Sequence, residues 1–176
     1  MRSLLRLLGL SEKPGPERGD TETVRRIAAQ LDKLDPDQAR YLASFAYVLA
    51  RVANADSEVS EEEVHKMEGL VRELGQLGEA QAALVVQIAK TQAITLGGTE
   101  NYVVTRQFRE NSSRDQRLRL LSCLFAVAAA DQNVSDVENT EITLIATELG
   151  LTGPEVAAAR SAYRDYLSVL KDMPRK

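Results

Sequence analysis

The chain has 176 residues, of which 44% are hydrophobic and 27% are charged, and its formal net charge is −4. This composition is typical of a globular protein and excludes an intrinsically disordered one. The negative charge argues against a general nucleic-acid binder, which needs a basic face to release phosphate counterions. Cys123 is the only cysteine, so an internal disulfide is excluded and a reducing cytoplasm is expected. No apolar run approaches the roughly 20 residues that a membrane span needs.

The first 20 residues are predicted to form an N-terminal segment and a linker that precede the domain. Met1–Leu10 is basic and apolar, but it lacks the long apolar core and the cleavage site of a signal peptide. Two interpretations of it are left open: an amphipathic helix that touches a membrane surface or a partner, and a frayed or self-docked terminus. Ser11–Asp20 contains two prolines and two glycines and is predicted to be the linker.

From residue 21 onward, apolar residues recur at helical spacing and predict seven or eight helices. Thr21–Leu34 is the first, and the Asp-Pro-Asp-Gln sequence at 35–38 has the cap and first turn of the second. The third begins at Ser60 and is predicted to end at Gly75 in a left-handed stop, and the fourth spans Gly78–Leu96. The helices of the second half are predicted to begin at Thr99, Ser113, Ser135 and Thr152. No segment alternates with period two, so no strand is predicted.

The two halves of the chain resemble each other when one is shifted by 75 positions, without a gap. The identical residues include Ala53, Ala55, Asp56, Val59, Ser60, Glu63, Leu74 and Gly75, which overlay Ala128, Ala130, Asp131, Val134, Ser135, Glu138, Leu149 and Gly150. Two similar units that each expose an apolar stripe are best buried against each other. We therefore predict an all-α fold of two tandem repeats, at about 21–96 and 97–172, packed as a pseudo-two-fold bundle of seven or eight helices.

Each half carries an acidic loop with the pattern D-x-[E/N]-V-S-x-x-E, which begins at Asp56 and again at Asp131. The serine and the last glutamate of this pattern have the spacing of a capping box, which accounts for them without any function. Capping leaves the two aspartates unexplained, because each follows the end of a helix, where the dipole disfavours an anion. Either each aspartate accepts hydrogen bonds from amides of its own loop, as in an Asx-turn, or a cation binds there.

A cation in these loops would have only oxygen ligands, which suits a hard ion such as Ca²⁺ or Mg²⁺. The pattern departs from an EF-hand loop, because its sixth residue is not glycine and its glutamate comes eighth. A weak site is therefore expected, with a Kd on the order of 10⁻⁴–10⁻³ M. The predicted ligands are Asp56, Glu58 and Glu63 in the first loop and Asp131, Asn133 and Glu138 in the second.

The pattern A-D-x-x-V-S-x-x-E, followed by a Leu-Gly helix end, resembles the TerB-like tellurite-resistance family. It is also similar to the N-terminal module of the membrane-anchored DnaJ-like co-chaperone DjlA. The clearest stretch is Leu121–Leu151, and the resemblance extends over about Arg40–Leu170. It implies an all-helical fold, a bacterial cytoplasmic setting, a link to tellurite or metal-ion stress, and partners at the membrane. It also implies metal binding through Asp56, Glu63, Asp131 and Glu138.

Three other features have two interpretations each. His65 lies between acids on one helix, and a solvated histidine is preferred to a metal ligand. Cys123 is expected to be buried and inert. Five arginines crowd one region and form either a site for phosphate or an acidic partner, or the exposed face of two helices. They are Arg106, Arg109, Arg114, Arg117 and Arg119.

The sequence has no HExxH motif, no P-loop and no dinucleotide fingerprint, so no enzymatic activity is predicted. The predicted function is a TerB-like module linked to tellurite or metal-ion stress that binds divalent cations through the two acidic loops. The alternative is a metal-independent scaffold for protein partners, with self-association or attachment to the inner membrane surface. A cytoplasmic location without a nucleic-acid partner is expected in either case.

Overall fold

A computed structural model of the chain describes residues 22–52, 61–92, 98–130 and 134–164. Eight α-helices and no β-strand occur within these ranges, which confirms the predicted all-α class. The helices are α1 (Glu22–Leu31), α2 (Pro36–Val52), α3 (Glu61–Gly75), α4 (Glu79–Gln92), α5 (Gly98–Glu110), α6 (Arg114–Ala128), α7 (Asp136–Glu148) and α8 (Gly153–Ser161). The pseudo-two-fold packing of two repeats stays a prediction, although α3 and α7 begin 75 positions apart.

Local side-chain chemistry sets the helix starts, as the sequence predicts. At the start of α2, Asp35 Oδ1 accepts a hydrogen bond from the Asp37 amide at 3.0 Å. At the start of α6, Ser113 and Gln116 form a reciprocal capping box, with Gln116 Oε1 accepting from the Ser113 amide at 2.8 Å. Each such cap satisfies backbone amides that the helix leaves without partners and stabilises it by about 1 kcal/mol.

Helices α2 and α6 form the centre of the bundle. Helix α2 packs against α4, α5, α6 and α7, and α6 packs against α3, α7 and α8. Both helices are buried because their apolar residues recur on several faces and not on one stripe. The largest fully buried side chains of these two helices are Leu42, Phe45, Leu49, Leu120, Leu121, Leu124 and Phe125. None of the described helices combines the length and the apolar character that a membrane crossing requires.

An aromatic cluster joins α2 to α5. The rings of Tyr41 and Phe108 stack with their centroids 5.4 Å apart, and Phe45 meets Phe108 edge-on at 5.9 Å. Such ring pairs add about 0.5–1.5 kcal/mol to the stability gained from area burial alone. Burial also raises the pKa of Tyr41 to about 12, so its hydroxyl is neutral at physiological pH. The cluster holds α5 along the amino-terminal part of α2.

The end of α3 differs from the predicted left-handed stop at Gly75. Gly75 belongs to the helix, and Gln76 adopts the left-handed conformation with φ of 52°. At the end of α7 the left-handed residue is Gly150 itself, with φ of 71°. In both turns the next amide donates to the carbonyl five residues before it, at 3.2 and 3.0 Å. The ungapped overlay of Gly75 with Gly150 is therefore wrong for backbone conformation, because α3 continues one residue further before it turns.

The two turns predict opposite effects for alanine substitutions of glycine. A Cβ on Gly150 would meet the guanidinium of Arg109 at 3.1 Å, and a left-handed alanine is strained, so Gly150→Ala should lower the free energy of unfolding by about 1–2 kcal/mol. Gly69 lies inside α3 with open space beside it, so Gly69→Ala should raise that free energy by about 0.5–1 kcal/mol. Urea denaturation of both variants measures the difference, and equal effects would contradict this account of the turn.

Candidate functional site

The predicted ligands lie largely outside the part of the chain that the structure describes. Asp56 and Glu58 of the first loop, and Asp131 and Asn133 of the second, fall in the undescribed ranges 53–60 and 131–133. Glu63 belongs to the first turn of α3, but its side chain is also outside the described set. Glu138 is the one predicted ligand whose side chain the structure describes, and the metal-ligand prediction stays a prediction for all six residues.

Glu138 completes the capping box predicted at the start of α7. Its Oε2 accepts hydrogen bonds from the Ser135 amide at 2.8 Å and from Ser135 Oγ at 2.6 Å. In return, the Glu138 amide donates to Ser135 Oγ at 3.2 Å. Val134, immediately before the cap, is buried and fixes the point where the loop re-enters the core. One carboxylate oxygen of Glu138 thus stabilises the helix, while no described residue donates a hydrogen bond to Oε1.

Helix α6 ends shortly before the second loop. The amides of Ala129 and Ala130 donate to the carbonyls of Phe125 and Val127, at 2.9 and 3.1 Å, and close the helix. No basic residue stands in the last turn of α6. Asp131, which lies outside the described residues, follows directly in the sequence.

The described residues contain no group of three or more histidine, cysteine, aspartate or glutamate side chains arranged to hold a metal ion. His65 is exposed and contacts Glu68 Oε2 through Nδ1 at 3.3 Å, in agreement with the solvated interpretation. Cys123 is buried, as predicted, and burial raises its pKa to about 12, so it is a neutral thiol. Neither residue contributes to a metal site in the described part of the chain.

Two of the clustered arginines bind the carboxyl-terminal end of α7. Arg117 donates through a terminal nitrogen to the Leu149 carbonyl at 3.0 Å. The guanidinium of Arg109 lies against Gly150. Both positive charges therefore sit at the negative pole of the helix, where they are stabilising. This placement favours the structural interpretation of these two arginines over a ligand site.

Arg114 forms a forked ion pair with Glu155 that ties α6 to α8. Its Nε and one terminal nitrogen donate to the two carboxylate oxygens at 2.8 and 2.7 Å. Glu155 also accepts from the amide and the hydroxyl of Thr152, both at 2.7 Å. The Thr152 hydrogen bonds, and then the Arg114 contact, hold the pKa of Glu155 below its usual value. Arg106 likewise pairs on its own helix with Glu110 at 2.9 Å.

A buried ion cluster that the sequence did not predict centres on Arg51, at the end of α2. One of its terminal nitrogens contacts both Glu148 Oε2 and Thr105 Oγ1 at 2.6 Å. Its Nε donates to Glu141 Oε1 at 2.8 Å, and its other terminal nitrogen lies 2.7 Å from the same oxygen. The Arg51 side chain is only 5% exposed and that of Glu148 only 10%. The cluster joins α2 to α5 and α7, the helix that follows the second loop.

The single hint of this cluster in the sequence is an arginine set in an apolar run, between Ala50 and Val52. A charge in such a run is buried only if partners neutralise it, and these partners lie 90 and 97 residues away in the chain. Local periodicity carries no information on contacts of that range.

A sequence model of the family described as tellurite resistance protein TerB matches residues 42–161. The chain belongs to the TerB family. The matched range runs from within α2 to the last residue of α8, and it includes both acidic loops and the Arg51 cluster. The resemblance predicted from the loop pattern is therefore confirmed. Comparison with curated proteins and with solved structures finds no match for this TerB-family chain.

The Arg51 cluster predicts a large loss of stability when its centre is removed. Arg51→Met leaves the buried carboxylate of Glu148 and the partly exposed carboxylate of Glu141 without their partner, and it should lower the free energy of unfolding by about 3–5 kcal/mol. Adding Glu141→Gln and Glu148→Gln to that variant should restore part of the loss. Arg106→Met, which removes an exposed ion pair, is the control and should cost less than about 1 kcal/mol. Urea denaturation decides the matter, and similar losses in the two single variants would contradict a buried cluster.

The lowered pKa of Glu155 predicts a pH-dependent contribution to stability. The ionised carboxylate stabilises the fold fully above the ordinary glutamate pKa of about 4.3, and this contribution is lost as the pH falls through the lower folded-state pKa. Glu155→Gln keeps the capping geometry but cannot ionise. The free energy of unfolding of the wild type should exceed that of Glu155→Gln at neutral pH, and the gap should shrink in acid. A gap that does not change with pH would show that ionisation of Glu155 contributes nothing.

Proposed function

We propose that this TerB-family chain is a non-enzymatic module of the response to tellurite or metal-ion stress, and that it binds divalent cations through its two acidic loops. Family membership supports the link to tellurite resistance. The sequence pattern of the loops supports cation binding, because it gathers carboxylate and amide oxygens within eight residues, twice.

The main support for the cation proposal is that Glu138 can cap α7 with one carboxylate oxygen and bind an ion with the other. Its Oε2 holds the start of α7, and Oε1 has no hydrogen bond from the described residues. A carboxylate has about four acceptor positions, so one oxygen can cap a helix while the other meets an ion. Asp131 and Asn133 precede it in the same loop, after a helix end without a basic residue. A hard cation among these oxygens would neutralise charge that the helix leaves uncompensated.

A substitution that separates capping from charge tests this proposal. Gln116 already fills the capping position of α6, so Glu138→Gln keeps the cap of α7 and removes the anionic oxygen. The wild type should gain about 1.4 kcal/mol at an ion concentration ten times Kd, which is a rise in Tm of about 3–5 °C. This shift should shrink in Glu138→Gln and vanish when Glu63→Gln is added. Thermal unfolding with millimolar Ca²⁺, Mg²⁺, Mn²⁺ or Zn²⁺ measures it.

The matched control is Glu155→Gln, the same change in the capping position of α8, outside both loops. It should keep the full ion-induced shift whatever its starting Tm. An unchanged Tm of the wild type with every ion would refute cation binding for these ions. A shift that survives Glu63→Gln with Glu138→Gln would place the ion elsewhere.

A metal-independent scaffold for protein partners is the alternative, and the completed capping box of Glu138 favours it. Capping alone explains why a glutamate stands there, without any ion. Affinity capture in the presence and absence of a chelator distinguishes the two functions. Partners retained with chelator support the scaffold, and partners released by chelator support the cation-dependent module.

A further inference from the structure

Four large apolar side chains are exposed within the part of the chain that the structure describes, and all of them belong to α5 or α7. Val137 and Leu144 of α7 are 79% and 49% exposed, and Tyr102 and Val103 of α5 are 52% and 37% exposed. Val137 and Leu144 are seven residues apart, so they lie on one side of α7, two turns or about 10 Å from each other.

Helices α5 and α7 lie side by side. Thr105 of α5 and Glu148 of α7 both contact the same Arg51 nitrogen at 2.6 Å. The guanidinium of Arg109, near the end of α5, lies against Gly150, just after α7. The two helices therefore run in the same direction with their carboxyl-terminal ends together.

The exposed apolar residues of the two helices form one surface. Tyr102 is one turn before Thr105 on α5, and Leu144 is one turn before Glu148 on α7, so Tyr102 and Leu144 lie at the same level. Val137 lies two turns further toward the start of α7. We call Tyr102, Val137 and Leu144 the apolar face.

Helix chemistry does not require apolar residues at these positions of α7. Val137 is the second residue of the helix, where the helix dipole favours an acid. When the two halves of the chain are overlaid, Val137 falls on Glu62 and Leu144 falls on Gly69. The apolar face is therefore not part of what the two halves share, and several exposed apolar residues together are typical of a contact with another surface.

The middle of the apolar face carries no net charge. Glu141 lies on the same side of α7 as Val137 and Leu144, and the guanidinium of Arg51 binds its carboxylate at 2.7 and 2.8 Å. A strongly basic partner therefore gains nothing from this glutamate, and a second copy of the same face meets no repulsion from it.

The two ends of α7 carry opposite charges. Asp136 and Glu138 are acids of its first turn. Arg117 donates to the Leu149 carbonyl at the other end, and Arg109 brings a second guanidinium beside it. These ends match when two copies of α7 run antiparallel, because the acidic start of each helix then lies beside the basic end of the other.

We propose that two copies of this chain associate through the apolar face, about a two-fold axis perpendicular to α7 at the midpoint between Val137 and Leu144. The two α7 helices then run antiparallel, and Val137 of each copy packs beside Leu144 and Tyr102 of the other. Such a contact is self-complementary, as two-fold symmetry requires. The association is independent of cation binding by the acidic loops.

The extent of the face predicts a weak dimer. Helices α5 and α7 have 13 residues each, so each is about 20 Å long and about 10 Å wide. Side by side they offer at most about 400 Å² on each copy, or about 800 Å² in the dimer. Stable interfaces bury at least roughly 1,200 Å², so we expect a dissociation constant above about 1 μM.

Disulfide formation between introduced cysteines tests the contact and its register in the full chain. Val137→Cys with Leu144→Cys should give a covalent dimer, because each new thiol lies opposite the other one across the axis. The two thiols of one copy cannot pair with each other, because their Cα atoms are about 10 Å apart on one helix, beyond the limit of about 7 Å for a disulfide. The native Cys123 is buried and stays out of the reaction.

The matched controls are the single variants Val137→Cys and Leu144→Cys. In the proposed register, two copies of the same residue lie about 10 Å apart across the axis. The double variant should therefore form covalent dimers about tenfold faster than either single variant, because association raises the effective concentration only of the facing thiols. Equal rates for all three variants would overturn the proposal.

Sedimentation equilibrium gives an independent result without new cysteines. The wild type should shift from monomer to dimer as its concentration rises from the micromolar to the millimolar range. Val137→Glu should weaken association at least about tenfold, because it buries a carboxylate in the contact, while the fold tolerates an acid in the first turn of a helix.

The matched control for this measurement is Ala80→Glu, the same new residue at the exposed second position of α4. It should associate as the wild type does. A wild type that stays monomeric at millimolar concentration would refute the dimer and leave the apolar face to a different partner. A Val137→Glu variant that associates as strongly as Ala80→Glu would place the contact elsewhere on the chain.

Discussion

The burial of one guanidinium constrains the arrangement of α2, α5 and α7. Arg51 is removed from water at the end of an apolar helix, and an unpaired ion in that place would cost several kcal/mol. Glu141 and Glu148 both face it and neutralise its charge, and Thr105 accepts a further hydrogen bond. These contacts fix how α2, α5 and α7 lie against one another. The cluster adds specificity to the fold more than net stability, because apolar residues of similar volume would pack there as well.

This constraint also links two of the helices that flank the acidic loops in the sequence. The first loop begins shortly after Arg51, and the second leads into α7, whose Glu141 is bound to Arg51. The helix that enters one loop is thus tied to the helix that leaves the other. Val137 and Leu144 lie on the same side of α7 as Glu141 and Glu148, so the exposed apolar residues of this helix border the ion cluster.

The sequence predicted what local chemistry decides and failed where distant contacts decide. Helix class and starts followed from apolar periodicity and from caps such as Ser113 and Ser135, whose partners are three residues away. The partners of Arg51 are about half the chain away in the sequence, so no local pattern predicted these contacts. The left-handed Gln76 was also missed, because glycine at the preceding position was the better candidate for that conformation. The loop pattern predicted the family correctly. Of the six ligands predicted from that pattern, the structure describes only the side chain of Glu138, which forms the helix cap that the pattern also predicted.

The overlay of the two halves repeats apolar and capping residues, and Glu148 falls on Glu73, but the arginine at the centre of the ion cluster is not repeated. Shifted by 75 positions, Arg51 falls on Ala126 and Glu141 falls on Lys66. The end of α6 and helix α3 therefore lack the residues for an equivalent of the Arg51 cluster. The first loop therefore follows a helix that ends in a buried, neutralised arginine, and the second follows one that ends without any basic residue. The two loops of the same pattern are thus entered from helices that end in different charges, even where the loop sequences are alike.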